Sequence, residues 1–392
     1  MRRVAGGAAL VSVLVCLAAC GDDEPTSVSE DLTFSTPDGA IGEGQPGDLL
    51  YQEPIAVAAG VAGTGVKIRY LSSVPDGNDS LVPVSGVVIV PNAPPPPGGY
   101  PIVSWAHGTT GTGDQCAPSR LVPFSIPMAA ELVGAGFVVA ATDYFGQDGF
   151  DEDGAVHPYL VGEIAGRNVL DIALAARRGF GAGSTVVTWG FSQGGHASLW
   201  AHGLAANYSA ELDLVGSAAF APVTDVAQLA GRGVEDPALA AVTVEIVRGW
   251  ATGYEQIEFD EILLPTAADQ ARLSVQECAA GIEALGGDPL ETVFGKDPSR
   301  HEAWKEASEL NAAPATGIAP VLLSHGGRDG LVLIEATDRY AASLCGAGVD
   351  VQYYRVPEGG HVSVLDDVVD DAAWWTLARV LGEPATSNCA DL

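Results

Sequence analysis

Residues 184–200 read STVVTWGFSQGGHASLW. The first half is β-branched and apolar, which predicts a buried strand, and the second half carries the alanine and leucine of a helix. Between them, Gly190-Phe191-Ser192-Gln193-Gly194 matches the Gly-x-Ser-x-Gly pattern of a nucleophile elbow. Glycines are needed there because strand and helix nearly touch behind the serine. The stretch therefore predicts that Ser192 is a nucleophile at the tip of a strained turn.

The five-residue pattern is weak by itself, because the chain contains 49 glycines. The alternative interpretation is a glycine-rich strand-to-helix turn without chemistry. The flanking strand and helix favour the elbow, since they supply the structural context that this motif requires.

The charge balance of the chain is strongly acidic. The 392 residues include 18 basic and 50 acidic side chains, which give a formal net charge of −32 at pH 7. Proteins that bind nucleic acid neutralise phosphates with lysine and arginine. Nucleic acid is therefore excluded as a partner, and the excess of acid is interpreted as a means of keeping an exported protein soluble.

The N-terminal segment has the features of an export signal. Residues 1–20 begin with two arginines, continue as a short apolar run and end in LAAC, which is typical of a signal peptide. LAAC resembles a bacterial lipobox, so we predict that Cys20 is lipidated and anchors an exported protein at the cell surface or outer envelope. The alternatives are an ordinary leader with an incidental cysteine, and release as a secreted enzyme. The polar, aperiodic residues 21–46 are interpreted as a flexible tether.

Four cysteines follow the predicted signal peptide: Cys116, Cys278, Cys345 and Cys389. An even number in an exported protein predicts two disulfide bonds, for which three pairings are possible. We favour a bond between Cys345 and Cys389, which would tie down the C-terminus. The second bond would then join Cys116 in a core loop to Cys278 in an insertion.

The sequence contains no recognisable metal-binding spacing. None of the cysteines has a CxxC or Cys/His arrangement suited to zinc. The acidic run over residues 148–153 lacks the final glutamate of a calcium loop and is interpreted as a solvated surface loop. We therefore expect neither a metal nor an organic cofactor.

Strand-like and helix-like segments alternate from residue 47 onward, as is typical of an α/β fold with a mostly parallel sheet. Besides the strand that leads into the elbow, the predicted strands are Val66–Leu71, Leu81–Val90, Pro101–Ala106, Phe137–Thr142, Leu214–Phe220, Pro320–Ser324 and Val351–Val356. Predicted helices cover the sheet at Pro127–Ala135, Gly162–Arg178 and Val364–Leu381. We therefore predict a core of residues 47–221 and 312–392, with helices on both faces of the sheet.

About 90 residues separate two of the predicted core strands, which is far more than a direct crossover requires. Within residues 222–311 the runs Ala238–Trp250, Ala268–Leu285 and His301–Leu310 have a helical pattern. We predict that residues 222–311 form a helical cap, or lid, inserted over the active site.

The loop after Pro101–Ala106 begins with His107-Gly108-Thr109. Such a loop is where α/β-type hydrolases expose a backbone N–H to a developing oxyanion. Thr109 is the candidate donor from this loop, and Gln193, directly after the serine, is the other. His107 itself is interpreted as a packed loop histidine, because backbone groups perform the work of this loop.

A serine hydroxyl needs a neighbouring base, and the base needs an acid that holds it in one tautomer. Asp329 and His361 each follow a predicted strand, and the carboxyl ends of parallel strands meet at the edge where α/β sheets bind ligands. The order serine, acid, histidine along the chain is that of the α/β-hydrolases. We predict a catalytic triad of Ser192, Asp329 and His361.

Other acids and histidines are weaker candidates for these roles. The rival acids, Asp338 and Asp366, both lie within predicted helices. His196 and His202 fall in the elbow helix and are predicted to face packing or solvent. His157 and His325 are candidates to line the pocket.

A set of motifs extends from about Gly47 to the C-terminus: SWAHGTTG (104–111), CAPS (116–119), Asp143-Tyr144, GFSQGG (190–195), GGRD (326–329) and GGH (359–361). With this set the sequence resembles the secretory lipase family. The resemblance implies an α/β-hydrolase fold with a helical cap and the cleavage of carboxylic esters, including triacylglycerols. It also implies that a loop aspartate helps to build the oxyanion hole, and Asp114 is the matching position.

These observations predict a serine hydrolase that cleaves carboxylic esters of the acylglycerol type through an acyl-enzyme. Its partner would be an ester substrate. It would attach to a membrane only through the lipid on Cys20. The same triad would also serve a serine peptidase or an acyltransferase acting on envelope lipids. An alternative of another class is a catalytically silent surface lipoprotein that only binds a ligand or partner.

Overall fold

The computed structural model describes residues 32, 34, 40–150, 156–274, 278, 289–298 and 301–392. The predicted signal peptide with Cys20 and most of the tether lie outside the described residues. So do residues 151–153 of the acidic run and most of the second half of the predicted helix Ala268–Leu285. All described residues belong to one compact unit, Leu32–Leu392.

A nine-stranded sheet lies at the centre of this unit, in the strand order β1-β2-β3-β5-β4-β6-β7-β8-β9. The strands are β1 (Leu49–Ile55), β2 (Gly63–Ser73), β3 (Leu81–Pro91), β4 (Tyr100–Ala106), β5 (Val138–Thr142), β6 (Ala182–Phe191), β7 (Asp213–Phe220), β8 (Val321–Gly326) and β9 (Val351–Val356). The strands from β4 to β9 pair in parallel, whereas β1, β2 and β3 form antiparallel pairs. The predicted mostly parallel sheet is confirmed.

The α-helices that the structure describes are α1 (Ala129–Gly134), α2 (Gly162–Gly179), α3 (Gln193–Tyr208), α4 (Val226–Gly233), α5 (Ala240–Gly253), α6 (Phe259–Ile262), α7 (Pro265–Ser274), α8 (Leu290–Val293), α9 (Glu302–Leu310), α10 (Ile334–Gly346) and α11 (Ser363–Val380). Helices α2 and α3 pack against one face of the sheet, and α1 and α11 against the other. Strands covered on both faces read as continuous apolar runs, and all five residues of β5 are accordingly buried.

Six of the helices that the structure describes, α4 to α9, lie between β7 and β8 in the chain. The apolar side chains of this segment pack together, and the rings of Trp250 and Trp304 lie 4.6 Å apart. The predicted helices Ala238–Trp250 and His301–Leu310 correspond to α5 and α9. Helices α4, α6 and α8 are not predicted by the sequence pattern, because each has only four to eight residues.

Strand β1 is the main element that the sequence pattern does not predict. It lies at the edge of the sheet, and Leu50 and Tyr51 are about half exposed. It also contains Pro54, which cannot donate a ladder hydrogen bond and is tolerated at sheet edges. The strand is therefore defined by its pairing with β2 and not by apolar alternation of its own.

The structure contains both favoured disulfide bonds. Cys116 is bonded to Cys278, and Cys345 is bonded to Cys389, with Cα–Cα distances of 5.3 and 5.6 Å. The first bond joins the loop after β4 to the segment between β7 and β8, and the second joins the end of α10 to the C-terminal turn. Among the described residues, no helix is both long and apolar enough to cross a membrane.

Asp171 on α2 is a carboxyl buried away from any proposed chemistry. Its Oδ2 accepts hydrogen bonds from the Ser72 hydroxyl at 2.6 Å and the Tyr208 hydroxyl at 3.0 Å. The side chain is fully buried, and burial raises its pKa from the usual 3.8 to about 7, against the opposing effect of these hydrogen bonds. The folded state therefore binds a proton at Asp171 more tightly than the unfolded chain does.

We expect this carboxyl to make the free energy of unfolding decrease as pH rises. The stabilising proton is present in both states below the unfolded pKa, and it is lost from the folded state only as pH passes about 7. Asp171→Asn should therefore flatten the pH dependence of stability between about pH 4 and pH 7. Urea unfolding at several pH values measures this, with the exposed Asp213→Asn as control. An unchanged slope in Asp171→Asn would contradict the assignment.

Candidate active site

The chain turns sharply between β6 and α3, and Ser192 occupies the turn with φ 56° and ψ −115°. A positive φ is uncommon for a residue with a side chain and indicates local strain. The close approach behind the turn explains the glycines: a Cβ at Gly190 would lie 1.9 Å from the carbonyl oxygen of Gly194. The strand-turn-helix context predicted for the elbow is confirmed.

The structure brings the three predicted triad side chains together. The Nε2 atom of His361 lies 2.9 Å from Oγ of Ser192, and its Nδ1 atom lies 2.7 Å from Oδ2 of Asp329. Because the carboxylate can only accept, Nδ1 carries the proton and Nε2 is free to accept the hydrogen bond of the serine hydroxyl. The residues follow β6, β8 and β9, whose carboxyl ends share one edge of the sheet.

The carboxylate of Asp329 is held by four hydrogen bonds. Oδ2 accepts from Nδ1 of His361 and, at 3.1 Å, from Nε2 of a second histidine, His325. Oδ1 accepts from the backbone N–H groups of Leu331 and Val332 at 2.8 and 2.9 Å. Burial acts to raise the pKa of Asp329, but the hydrogen bonds from the two histidines, the electrostatic attraction of His361 and the backbone N–H of Val332 together hold that pKa well below its usual range. The group therefore stays ionised at neutral pH.

The rival acids lie in other surroundings. Asp338 is on α10, where its carboxylate accepts a hydrogen bond from the Tyr353 hydroxyl at 2.9 Å and pairs with Arg355. Asp366 is exposed on α11. Both residues lie within helices, as the sequence predicts.

The two candidate oxyanion donors lie at the ends of neighbouring parallel strands. Thr109 is in the loop after β4, and Gln193 is the first residue of α3 after β6. The first N–H groups of a helix have no partner within it and point toward the positive end of the helix dipole. The backbone N–H of Gln193 is therefore suited to binding an anion.

Asp114, the third candidate, begins a short 3-10 turn that leads to Cys116. Its Oδ1 accepts a hydrogen bond from the backbone N–H of Asp148 at 3.3 Å, and its carbonyl accepts from Nε of Arg120 at 3.1 Å. These contacts hold the loop that follows β4. A role for Asp114 in the oxyanion hole stays a prediction.

A model of the family described as Secretory lipase matches residues 121–388, which is more than half of the chain. The chain belongs to the secretory lipase family. The expected family resemblance is therefore confirmed, and the matched range includes the elbow, Asp329 and His361.

Individual relatives of this secretory lipase family member are distant. The chain is 24% identical to lipase 5 of Candida albicans over 97% of its own length and 87% of that protein. It is 25% identical to a Mycobacterium tuberculosis protein named as a probable inactive lipase, over 77% of this chain and 70% of that protein. The structure of Candida antarctica lipase A in its closed state is 18% identical and has a TM-score of 0.76, covering 90% of this chain and 86% of that one. This likeness confirms the predicted α/β-hydrolase fold.

His325 is a site residue of this secretory lipase that sequence reasoning placed only near the pocket. It is fully buried, and Nε2 faces two acceptors: Asp329 and, at 2.9 Å, the carbonyl of Val332. Nε2 therefore carries the ring proton, and Nδ1 accepts from the Thr337 hydroxyl at 2.8 Å. The signal in the sequence is the short spacing His325-Gly-Gly-Arg-Asp329, in which a strand end and a tight loop bring both side chains together.

We expect His325→Leu to lower kcat about tenfold, because Asp329 loses one of its four donors and such a hydrogen bond contributes about 1.5 kcal/mol. KM for a p-nitrophenyl ester should stay the same. The control is His202→Leu. His202 lies on α3 and is similarly buried, but its ring bonds the carbonyl of Ala319 and does not contact Asp329. Steady-state kinetics and urea unfolding separate the two variants. An equal kcat in both would show that His325 only packs.

The remaining histidines have structural partners. His196 and His202 are buried on α3, where each bonds a backbone carbonyl, Asn311 and Ala319 respectively. Of the two surroundings predicted for them, packing or solvent, the structure shows packing, and burial lowers the pKa of His196 to about 4. His107 is a packed loop histidine, as predicted, and Nδ1 bonds the carbonyl of Gly108 at 2.6 Å.

An apolar cavity of about 310 Å³ is lined by Thr109 and by Phe191, the last residue of β6. The ring of Phe191 forms part of its wall and lies 5.1 Å from the ring of His361. The other residues that line it come from β4, β5, the loops after these two strands and α11, and they include Trp105, Phe124, Ile126, Thr142 and Leu365. The cavity thus adjoins the elbow and the candidate oxyanion loop.

Proposed function

We propose that this protein is a serine hydrolase that cleaves carboxylic esters, of the acylglycerol type, through an acyl-enzyme intermediate. The observation that carries the proposal is the hydrogen-bonded sequence from Ser192 through His361 to Asp329, with distances of 2.9 and 2.7 Å. Family membership supports ester hydrolysis but does not suffice, since one relative is named as inactive. The assembled triad disfavours a catalytically silent binding protein.

In the proposed reaction, the Ser192 hydroxyl attacks the ester carbonyl while Nε2 of His361 takes its proton. The backbone N–H groups of Gln193 and Thr109 stabilise the oxyanion. His361 then protonates the leaving alcohol, and a water molecule activated by the same nitrogen releases the acid. Asp329 remains ionised throughout and holds the imidazole in the productive tautomer.

We propose that helices α4 to α9 form the predicted cap of residues 222–311. The contacts between this segment and the loop after β4 support this assignment. The Thr112 hydroxyl donates to Oε2 of the buried Glu245 on α5 at 2.7 Å. The Cys116–Cys278 bond adds a covalent connection. A segment attached at this point is suited to covering the substrate.

The cavity lined by Phe191 and Thr109 is proposed to receive a small group of the ester. Its volume of about 310 Å³ is at the small end of ligand sites, which span about 300–1,000 Å³. A short acyl chain fits such a volume better than a long one. We therefore propose a preference for short-chain esters.

Labelling and kinetics test this function together. A fluorophosphonate probe should label the wild type at Ser192, as located by peptide mass spectrometry, and p-nitrophenyl butyrate should be cleaved faster than p-nitrophenyl palmitate. Peptide anilides should not be cleaved. Faster cleavage of an anilide would favour a peptidase, and transfer to an added alcohol in preference to water would favour an acyltransferase. Absence of both labelling and cleavage would favour the binding protein.

We further propose that the protein is exported and anchored by a lipid on Cys20. The secretory family and the two disulfide bonds, which persist in oxidising compartments, support export. Cys20→Ala should move the enzyme from the membrane fraction to the medium without changing kcat. Fractionation followed by an activity assay measures this. A wild type found wholly in the medium would contradict the anchor.

A further inference from the structure

One short segment bonds the side chains of both proposed oxyanion donors. The hydroxyl of Tyr159 lies 2.7 Å from Oγ1 of Thr109. Two residues earlier, Nε2 of His157 lies 2.5 Å from Nε2 of Gln193. Both His157 and Tyr159 are buried, with 1% and 3% of their surface exposed. Residues 157–159, which lie in a loop, therefore contact both Thr109 and Gln193, two residues that are 84 positions apart in the sequence.

The hydrogen bonds of His157 have a defined direction. Nδ1 lies 2.8 Å from the carbonyl oxygen of Phe145, which can only accept, so Nδ1 carries the proton. Nε2 is then an acceptor and receives an N–H of the Gln193 amide. Burial lowers the pKa of His157 to about 3, so this neutral form persists at neutral pH.

The segment is itself held in place from several sides. The backbone N–H of His157 donates to the carbonyl of Thr112 at 2.9 Å. The ring of Tyr144 stacks on the His157 ring at 5.2 Å, and its hydroxyl donates to the carbonyl of His107 at 2.9 Å. On the other side, α5 packs so closely that a Cβ at Gly249 would lie 2.4 Å from the backbone nitrogen of Tyr159.

We propose that His157 and Tyr159 are positioning residues that set the geometry of the oxyanion hole, His157 through Gln193 and Tyr159 through Thr109. The inference rests on the proposed function. Oxyanion donors are effective only when they are fixed in advance at the place where charge develops. A hydrogen bond to the side chain of a donor residue restricts the backbone dihedral angles of that residue. Its N–H group therefore keeps pointing at the site where the oxyanion forms.

Thr109 makes this requirement clear. The residue is exposed and lies in the loop 108–113, which consists of glycines and threonines. The Tyr159 hydroxyl is a buried partner that ties this exposed residue to the protein interior. Loss of the Tyr159 hydroxyl should preserve the fold and the backbone N–H group of Thr109. The direction in which this N–H points should, however, no longer be fixed.

The test is a double-mutant cycle on the full mature chain with p-nitrophenyl butyrate. Tyr159→Phe and Thr109→Val each remove one partner and keep every backbone N–H. We expect each to lower kcat about tenfold at constant KM, and the double variant to lower it no further, because both act through one hydrogen bond. Binding of a trifluoromethyl ketone, which forms a tetrahedral adduct on serine, should weaken by the same factor in all three.

Two further variants separate positioning from packing. Tyr340→Phe removes a buried hydroxyl that bonds the carbonyl of Pro314, and it should not change kcat. At the other donor, His157→Gln offers an oxygen that can accept from Gln193, whereas His157→Leu offers none. We expect the glutamine variant to retain several-fold more of the wild-type kcat than the leucine variant.

The outcomes distinguish this inference from the proposed function. If the wild type is active and labelled at Ser192, but Tyr159→Phe and His157→Leu match it in kcat and in ketone binding, the positioning role is overturned and the function stands. Additive effects in the cycle would also overturn it. A wild type that neither reacts nor labels would overturn both. The expected pattern of equal, non-additive losses supports both.

Discussion

Ser192→Ala is expected to lower kcat for p-nitrophenyl butyrate by about 10⁶-fold, the size of loss that follows removal of the nucleophile from a serine hydrolase triad. The variant lacks the oxygen that forms the acyl-enzyme, and Nε2 of His361 has no hydroxyl to deprotonate. It should fold normally, because alanine removes only one atom from a turn whose backbone is unchanged. Active-site titration with a fluorophosphonate, together with single-turnover kinetics, measures the loss.

A matched control is available on the same helix. Ser198 is fully buried on α3 and its hydroxyl donates to Oγ1 of Thr188 at 2.9 Å, away from the triad. Ser198→Ala should lose some stability and keep its kcat. The double variant Ser192→Ala/His361→Ala should be no slower than Ser192→Ala alone, since the triad acts as a unit. Residual activity in Ser192→Ala above about one thousandth of the wild type would assign the nucleophile elsewhere.

Gly194→Ala is expected to destabilise the folded protein by several kcal/mol and to prevent recovery of soluble enzyme. A Cβ at this position would lie 1.9 Å from the carbonyl oxygen of Ala106 and 2.7 Å from that of His107. Both are backbone atoms at the end of β4, so no side chain can move aside. Overpacking of a core by a methyl group costs about 1–3 kcal/mol even where neighbours adjust, and here the strand itself must shift.

The control for this glycine is Gly231 on α4. A Cβ there would meet no atom within 4 Å, so Gly231→Ala should raise stability by about 0.5–1 kcal/mol through the higher helix propensity of alanine. Urea unfolding and the yield of soluble protein compare the two variants. A Gly194→Ala variant of wild-type stability and activity would show that strand and helix are farther apart than the structure has them.

The elbow could be predicted from the sequence because the interactions that define it are local. Gly190, Ser192 and Gly194 lie within five positions, and the strand before them and the helix after them have clear patterns. Asp329 and His361 could be predicted because both follow strands whose parallel order fixes where their loops meet. The same reasoning could not find β1, whose half-exposed residues and Pro54 carry no strand pattern.

The residues that hold the site residues in place could not be predicted from local sequence patterns. His157 reaches Gln193 across 36 positions, and Tyr159 reaches Thr109 across 50. No spacing rule connects such pairs, because the contact depends on how α5 and the loop after β4 pack together. His325 lies nearer to its partner, but a histidine at a strand end does not by itself indicate which acceptor it faces.

The bond between Cys116 and Cys278 has a mechanical consequence. It joins residues 162 positions apart and fastens the helical segment α4 to α9 to the loop that carries Thr109. If these helices are the proposed cap, their movement away from Ser192 would leave Cys278 attached to the loop after β4, so we expect the larger displacement on the side remote from the bridge. An ester would then approach from the opposite flank, and the oxyanion loop would stay at the hinge and move least.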